Sequence, residues 1–390
     1  MTEPEPEQER HASWIELFFD LVAVAGVAQL TLLLHDHPTI GDVGLYALLF
    51  LAFWTVWATF TMYGNIARDA VRIPVMLFAM FGLAVMVACV ASIPEHRANI
   101  FAVAYLVARL VAGNQWGRTE IVVDWPLAQL AGGVTPWIVS LWIEGPAKQW
   151  LWAAGLAIDL IAMFALTGDR MIASATERYE RVLERRGAPA GLTVPPLHIA
   201  RAEPHHLAER LGLFVIIMLG EGVIQLVSAM SNREWDVGVV ATAIAGFVLL
   251  VGMWALALLH GVAGIPHLPL DALPPRIVMA LHCFSTLAIA TTGAGLGAAA
   301  AGHLDTANGW LLCGGLAGFF GVSLVAGLAT GGARWRWILA CALPCTVLPV
   351  VPALLVHHVP TAWVVLGLVA IVGWMLAYVR VLQPRADRSV

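Results

Sequence analysis

WIELFFDLVAVAGVAQLTLLL, residues 14–34, is the stretch that decides the fold. A helix rises about 1.5 Å per residue, so a lipid core of about 30 Å needs about 20 mainly apolar residues to cross it. This stretch is long enough, yet it carries two carboxylates, Glu16 and Asp20, that an ordinary apolar span lacks. Comparable runs follow at 43–63, 72–92, 98–117, 125–143 and 149–168. After a polar stretch, others follow at 206–230, 237–259, 275–299, 308–330, 335–356 and 361–381. The breaks between them, such as HDHPTIGD, NIARDAVR, IEGPAK and SNREWD, hold turn residues and charges. The pattern predicts an all-α polytopic membrane protein with about twelve transmembrane helices. Pro126, Pro136, Pro344 and Pro352 fall in or near spans, where neighbouring helices satisfy the freed carbonyls.

Composition agrees. The 390 residues are 60% hydrophobic and only 12% charged, with a mean hydropathy of +0.81. A soluble domain carries about 25% charged residues, so the solvent for this chain is lipid. The net charge of −5 comes largely from the glutamates of MTEPEPEQE and identifies no partner. That start lacks a basic region leading into an apolar run, so no removable signal peptide is expected. Cys89, Cys283, Cys313, Cys341 and Cys345 fall inside spans with no C-x-x-C pair. They read as buried small apolar residues rather than disulfides or metal ligands. No phosphate-cradling glycine loop, nucleotide motif, zinc pattern or nucleophile elbow is present. No cofactor, metal or nucleic acid is therefore expected; the partners are membrane lipid and an unknown small-molecule or lipidic ligand. No oligomeric state follows.

Orientation rests on the basic residues. Of the 21 Lys and Arg, only Arg97, Lys148 and Arg233 fall on one side, and Arg109 lies within a span. The other seventeen cluster in alternate loops and at the ends. The positive-inside rule then predicts the cytoplasmic membrane with both termini cytoplasmic. Residues 169–204 form a cytoplasmic linker between a first half, 1–168, and a second, 205–390. The halves echo each other: HASWIELFFDLV against HHLAERLGLFVI, Trp54 against Trp254, and RIPVMLFAMFGLAV against RIVMALHCFSTLAI. Six spans per half make a parallel repeat about an axis along the membrane normal.

Charges within spans need partners or a task, because each costs at least about 2.5–3.5 kcal/mol at the bilayer centre. Arg109 lies about 16 Å below the outer end of its helix and Asp159 about 14 Å below the outer end of its own, so an ion pair is expected. Its plain reading is a lock between two helices. Glu16 and Asp20 are four apart on one face, with Ala23, Val27 and Thr31 continuing it. Burial and mutual repulsion favour protonation of one of them; the plain reading of Glu16 is attraction to a helix N-terminus. Glu209 opens helix 7, and Glu221 lies about 20 Å further in. Glu221, Gln225 and Ser228 share a face, while Gly212 and Gly220 permit close helix approach. Glu221 is the hardest charge to explain as scaffold. His282 shares a stripe with Thr286 and Gly293 and reads first as a satisfied interior group. Trp54 and Trp57 are candidates for a cavity wall, although most of the 16 tryptophans read as interfacial anchors.

IELFFDLVAVAGVAQL at 15–30, HLAERLGLFVIIMLGEGV at 206–223 and RIPVMLFAMFGLAVMV at 72–87 resemble the bacterial low temperature requirement A family. The resemblance implies a membrane protein and supplies no reaction. Where many relatives have Ser after the LGE triplet, this chain has Gly222, and it has AVAG where bulkier residues are usual after DLV.

Three functions fit these residues. The leading one is a proton-coupled secondary transporter of an unknown small molecule, with Asp20 and Glu221 as working acids facing a shared interior cavity. Glu16, Trp54, Arg109, Asp159, Glu209, Gln225 and His282 would then contact its substrate. The second is an intramembrane enzyme, an acid-initiated cyclase or isomerase acting on a lipidic or isoprenoid substrate, with the same acids as general acids and tryptophans shielding a developing cation. The third is a membrane scaffold or lipid-binding protein. A cavity open to one aqueous face favours transport; one open only to lipid favours the enzyme.

Overall fold

The computed structural model describes residues 11–34, 37–93, 97–115, 121–123, 132–166, 169–170, 172–174, 176–177, 181, 198–231, 233–331 and 335–382. The acidic start, Arg118, Pro126, most of the linker, Arg334, Arg385 and Arg388 lie outside them. Helices dominate: α1 Trp14–Thr31, α2 Ile40–Ala67, α3 Ile73–Cys89, α4 Ala98–Asn114, α5 Val134–Ser140 and α6 Pro146–Ala165. They continue as α7 Pro204–Ser231, α8 Val237–Trp254, α9 Pro275–Ala300, α10 Thr306–Ala329, an interrupted α11 Trp335–Leu354, and α12 Thr361–Leu382. Among the described residues, nine are long and apolar enough to cross a membrane: α1 to α3 and α7 to α12, with short extensions on some. α4 is apolar but shorter. Of the predicted span at 125–143, only α5 is helical among the described residues. α6 is twenty residues long but holds Lys148 and Asp159.

Local chemistry sets the boundaries. Ser13 and Glu16 form a capping box, in which the Ser13 N–H and hydroxyl both donate to Glu16 Oε2, at 2.9 and 2.7 Å. Thr39 and Asp42 repeat the device at α2. Asp236 and Asp305 cap α8 and α10 by accepting the Val239 and Asn308 amides, each at 2.8 Å. Such a cap is worth about 1 kcal/mol. Proline in the first turn starts α3, α6 and α9, where its missing N–H costs nothing. α11 does not run straight: a π-turn at Ile338–Ala342 precedes Pro344, and turn residues 348–349 precede Pro352.

The chain divides into two compact units. The smaller comprises Ser13–Gly26 and Leu51–Glu203; the larger comprises Met1–Ala12, Val27–Phe50 and Pro204–Val390. In the smaller unit, α4 packs on α3 and α5, and α5 packs on α6. Strands β1 (Ile121–Val123) and β2 (His198–Ala200) pair in parallel there, with Val122 opposite Ile199. In the larger unit α9 packs on α7 and α10, and α8 packs on α7 and α12. A π-turn at Ala255–Leu259 ends α8 and leads into a tight hairpin, β3 (Gly261–Val262) and β4 (Ile265–Pro266). Within and just after that hairpin Ala263, Gly264, His267 and Asp271 all have positive φ, a costly conformation for the three that are not glycine. His267 bonds to Ser323 Oγ at 3.0 Å and lies edge-on to Trp337. Burial, and then the neighbouring His260, hold its imidazole down to about 4, so it is neutral at pH 7.

Candidate functional site

In the smaller unit Arg109 and Asp159 meet, as their similar depth predicts. Nη2 lies 3.0 Å from Oδ2, and the side chains are 2% and 4% exposed. Arg109 Nη1 also donates to Thr59 Oγ1 at 3.1 Å, and the Gly133 N–H donates to Asp159 Oδ1 at 3.2 Å. Both carboxylate oxygens are therefore occupied. A Cβ on Gly133 would stand 2.4 Å from Asp159 Cγ and from the Gly155 carbonyl, and a Cβ on Gly155 would stand 2.5 Å from the Gly133 carbonyl. This reciprocal glycine contact is what lets the start of α5 reach the carboxylate on α6. Around the pair, Tyr105 stacks on Trp137 at 4.0 Å and Trp137 on Trp152 at 4.9 Å. Phe101 closes the stack 5.5 Å from Trp152.

Asp20 is fully buried, and its Oδ1 accepts from Trp57 Nε1 at 2.7 Å. Trp54 packs beside Trp57 with ring centroids 6.4 Å apart. Both tryptophans are core residues; the interfacial reading suits Trp14, Trp142, Trp150 and Trp235, which are 72–88% exposed. Glu16 caps α1, a role announced by the Ser-x-x-Glu spacing of residues 13–16. Glu209 is partly exposed, and its Oε1 lies 3.5 Å from His11 Nδ1.

In the larger unit Glu221 is 9% exposed. Its Oε1 accepts from Gln225 Nε2 at 2.7 Å, and the same amide donates to Thr31 Oγ1 at 3.0 Å. Thr31 in turn donates to the Ala28 carbonyl at 2.7 Å. The two hydrogens of one side-chain amide thus join α7 to the end of α1. Among the described residues Glu221 makes no ion pair. His282 is fully buried; its Nε2 lies 3.1 Å from the Leu211 carbonyl, and its ring packs on Phe214. It is a satisfied interior histidine. Asp20 belongs to the smaller unit and Glu221 to the larger.

Three features escaped the sequence reading. Arg210 and His206, also on α7, are fully buried. Arg210 therefore leaves the set of cytoplasmic loop cations, and α7 does carry a base, eleven residues before Glu221. Eleven residues are close to three turns, so the two side chains share a helix face; that spacing was the available signal. The third feature is a cleft of about 350 Å³ lined by Leu207 and Ala208 of α7, the hairpin residues Val262 and Ala263, and the segment Leu268–Pro275. Among the described residues no group of three His, Cys, Asp or Glu side chains converges to hold a metal.

Glycines bring α7 and α9 together beside Glu221. A Cβ on Gly293 would stand 3.1 Å from Gly222 Cα, which is backbone, whereas a Cβ on Gly222 would stand 3.1 Å from Leu250 Cδ2, the end of a flexible side chain. Gly293→Leu is expected to cost about 1–3 kcal/mol by overpacking. Gly222→Ser should be nearly neutral, and thermal unfolding of the purified variants compares the two. Equal losses would show that the helices do not meet at these glycines.

An uncharacterized protein of Rhizobium meliloti (strain 1021) is 28% identical over 258 residues, a match covering 62% of this chain and 57% of that protein. The chain thus spans a little over half the length of that relative. No solved structure matches. The model of the bacterial low temperature requirement A protein matches residues 11–373, and the chain belongs to that family.

Proposed function

We propose that the protein is a proton-coupled secondary transporter of a small molecule and that Glu221 is its proton-exchanging acid. One observation carries the reading: among the described residues Glu221 bonds to a neutral amide and makes no ion pair, whereas Asp159 is paired with Arg109 and accepts the Gly133 N–H. A carboxyl with only a neutral partner can gain and lose a proton without breaking an ion pair. Gln225 and Thr31 orient it. Arg109, Asp159, Glu16 and His282 hold the frame, since each makes at least one hydrogen bond within the protein.

The reading includes twelve crossings in two parallel halves, 1–168 and 205–390, joined by the 169–204 linker, with both termini on the cytoplasmic side of the cytoplasmic membrane. The repeat is supported by Arg72, which directly precedes α3, and Arg276, in the first turn of α9. It is also supported by Glu16 and Glu209 near the starts of α1 and α7. The basic-residue bias survives the loss of Arg210 from the count. One contact favours the enzyme reading instead: Asp20, bonded to Trp57 beside Trp54, is an acid with an aromatic wall.

The test uses sealed vesicles containing the purified chain and a trapped pH indicator. Amines, organic acids, sugars and amino acids are added in turn. A solute that moves protons only in protein-bearing vesicles supports transport. Chemical conversion of an isoprenoid alcohol or diphosphate without proton movement would favour the enzyme.

A further inference from the structure

The smaller unit holds a groove of about 380 Å³ between α3 and α4. Phe78, Phe81, Gly82, Val103 and Val107 line its length, and Asn99 is the one polar lining residue, at the first turn of α4. The groove's side chains are not core: Phe81 is 66% exposed and Ile100 52%. Two cations flank the Asn99 end, Arg97 exposed and Lys148 only 8% exposed. Lys148 donates to Asn99 Oδ1, and Arg97, the residue before α4, is exposed and donates one guanidinium hydrogen to the Ala88 carbonyl at 2.8 Å. An ammonium has three N–H donors and a guanidinium five, so both retain donors for another acceptor. Among the described residues at this end the remaining charge is Glu144, exposed on the turn before α6. Trp142 and Trp150, 76% and 75% exposed, stand in the same segments as Glu144 and Lys148, as headgroup-level tryptophans do.

We infer that this groove is a binding site for an anionic phospholipid, whose acyl chain lies between α3 and α4 and whose phosphate meets Arg97 and Lys148. An apolar channel ending in cations has the charge and shape order of such a lipid, and basic residues at a membrane surface attract anionic headgroups. In the proposed orientation Arg97 and Lys148 are two of the three cations on the outer side. A lipid contact accounts for cations placed against the general bias. This inference stands apart from the role of Glu221.

The test is native mass spectrometry of the full chain, mixed with equal amounts of phosphatidylglycerol and phosphatidylcholine bearing identical acyl chains. The wild-type protein should retain phosphatidylglycerol over phosphatidylcholine. Arg97→Gln and Lys148→Gln should each lower that preference about fivefold. Gly82→Leu has room to fold, since a Cβ there would meet only Ala108 Cβ at 3.8 Å. Together with Ala104→Leu it should fill the groove and abolish retention without lowering the melting temperature, since leucine favours the helix over glycine. Glycerol phosphate should not compete. Equal retention of both lipids by the wild-type protein, unchanged retention by the filled groove, or competition by glycerol phosphate would each overturn the proposal.

Discussion

Arg109→Met and Asp159→Leu are each expected to destabilise the protein by about 3–5 kcal/mol, while the double replacement costs much less. Each single change leaves one charge buried, with side-chain exposures of only 2% and 4% to relieve it. Removing both takes partners from Thr59, whose hydroxyl is also bonded to the Thr55 carbonyl at 2.7 Å, and from the Gly133 amide, but leaves no unpaired charge of the pair behind. The aromatic stack of Tyr105, Trp137, Trp152 and Phe101 then packs against apolar side chains. Thermal unfolding of the three variants measures the difference. If the double variant is as unstable as the worse single variant, the pair is not a replaceable lock.

Glu221→Gln is expected to abolish solute-driven proton movement and leave the melting temperature nearly unchanged. Glutamine keeps the shape and a carbonyl oxygen that can accept the Gln225 N–H seen at 2.7 Å. It removes only the titratable proton. Gln225→Leu tests the support of that acid: it breaks the bonds to Glu221 and Thr31 together. Its expected result is weaker coupling rather than none, because the acid remains.

Helix positions were legible because apolar length is a local property. The run at 14–34 becomes α1 and its short continuation, and the run at 275–299 becomes α9 within a residue. The contact between Arg109 and Asp159 was legible because helical rise converts position into depth. Their other partners, Thr59 and Gly133, were not, since depth does not say which helices are neighbours or where a glycine lets backbone approach a carboxylate. Arg210 falls inside the run at 206–230, but apolar length does not reveal that its side chain is fully buried there. The segment from His260 to Pro274 has no apolar period, and three non-glycine residues there adopt positive φ. Nothing in its residue types announces a hairpin or the cleft beside it. The break in α11 was half legible: Pro344 and Pro352 marked its place, but not the π-turn that precedes them.

The central claim is that Glu221 carries the proton that couples transport. Its most direct test places wild-type and Glu221→Gln proteins in sealed vesicles with a trapped pH indicator and adds the solute that drives proton movement in the wild type. The account predicts solute-dependent pH change with the wild-type protein and none with Glu221→Gln, although both bind the solute. An equal pH change with Glu221→Gln would contradict it.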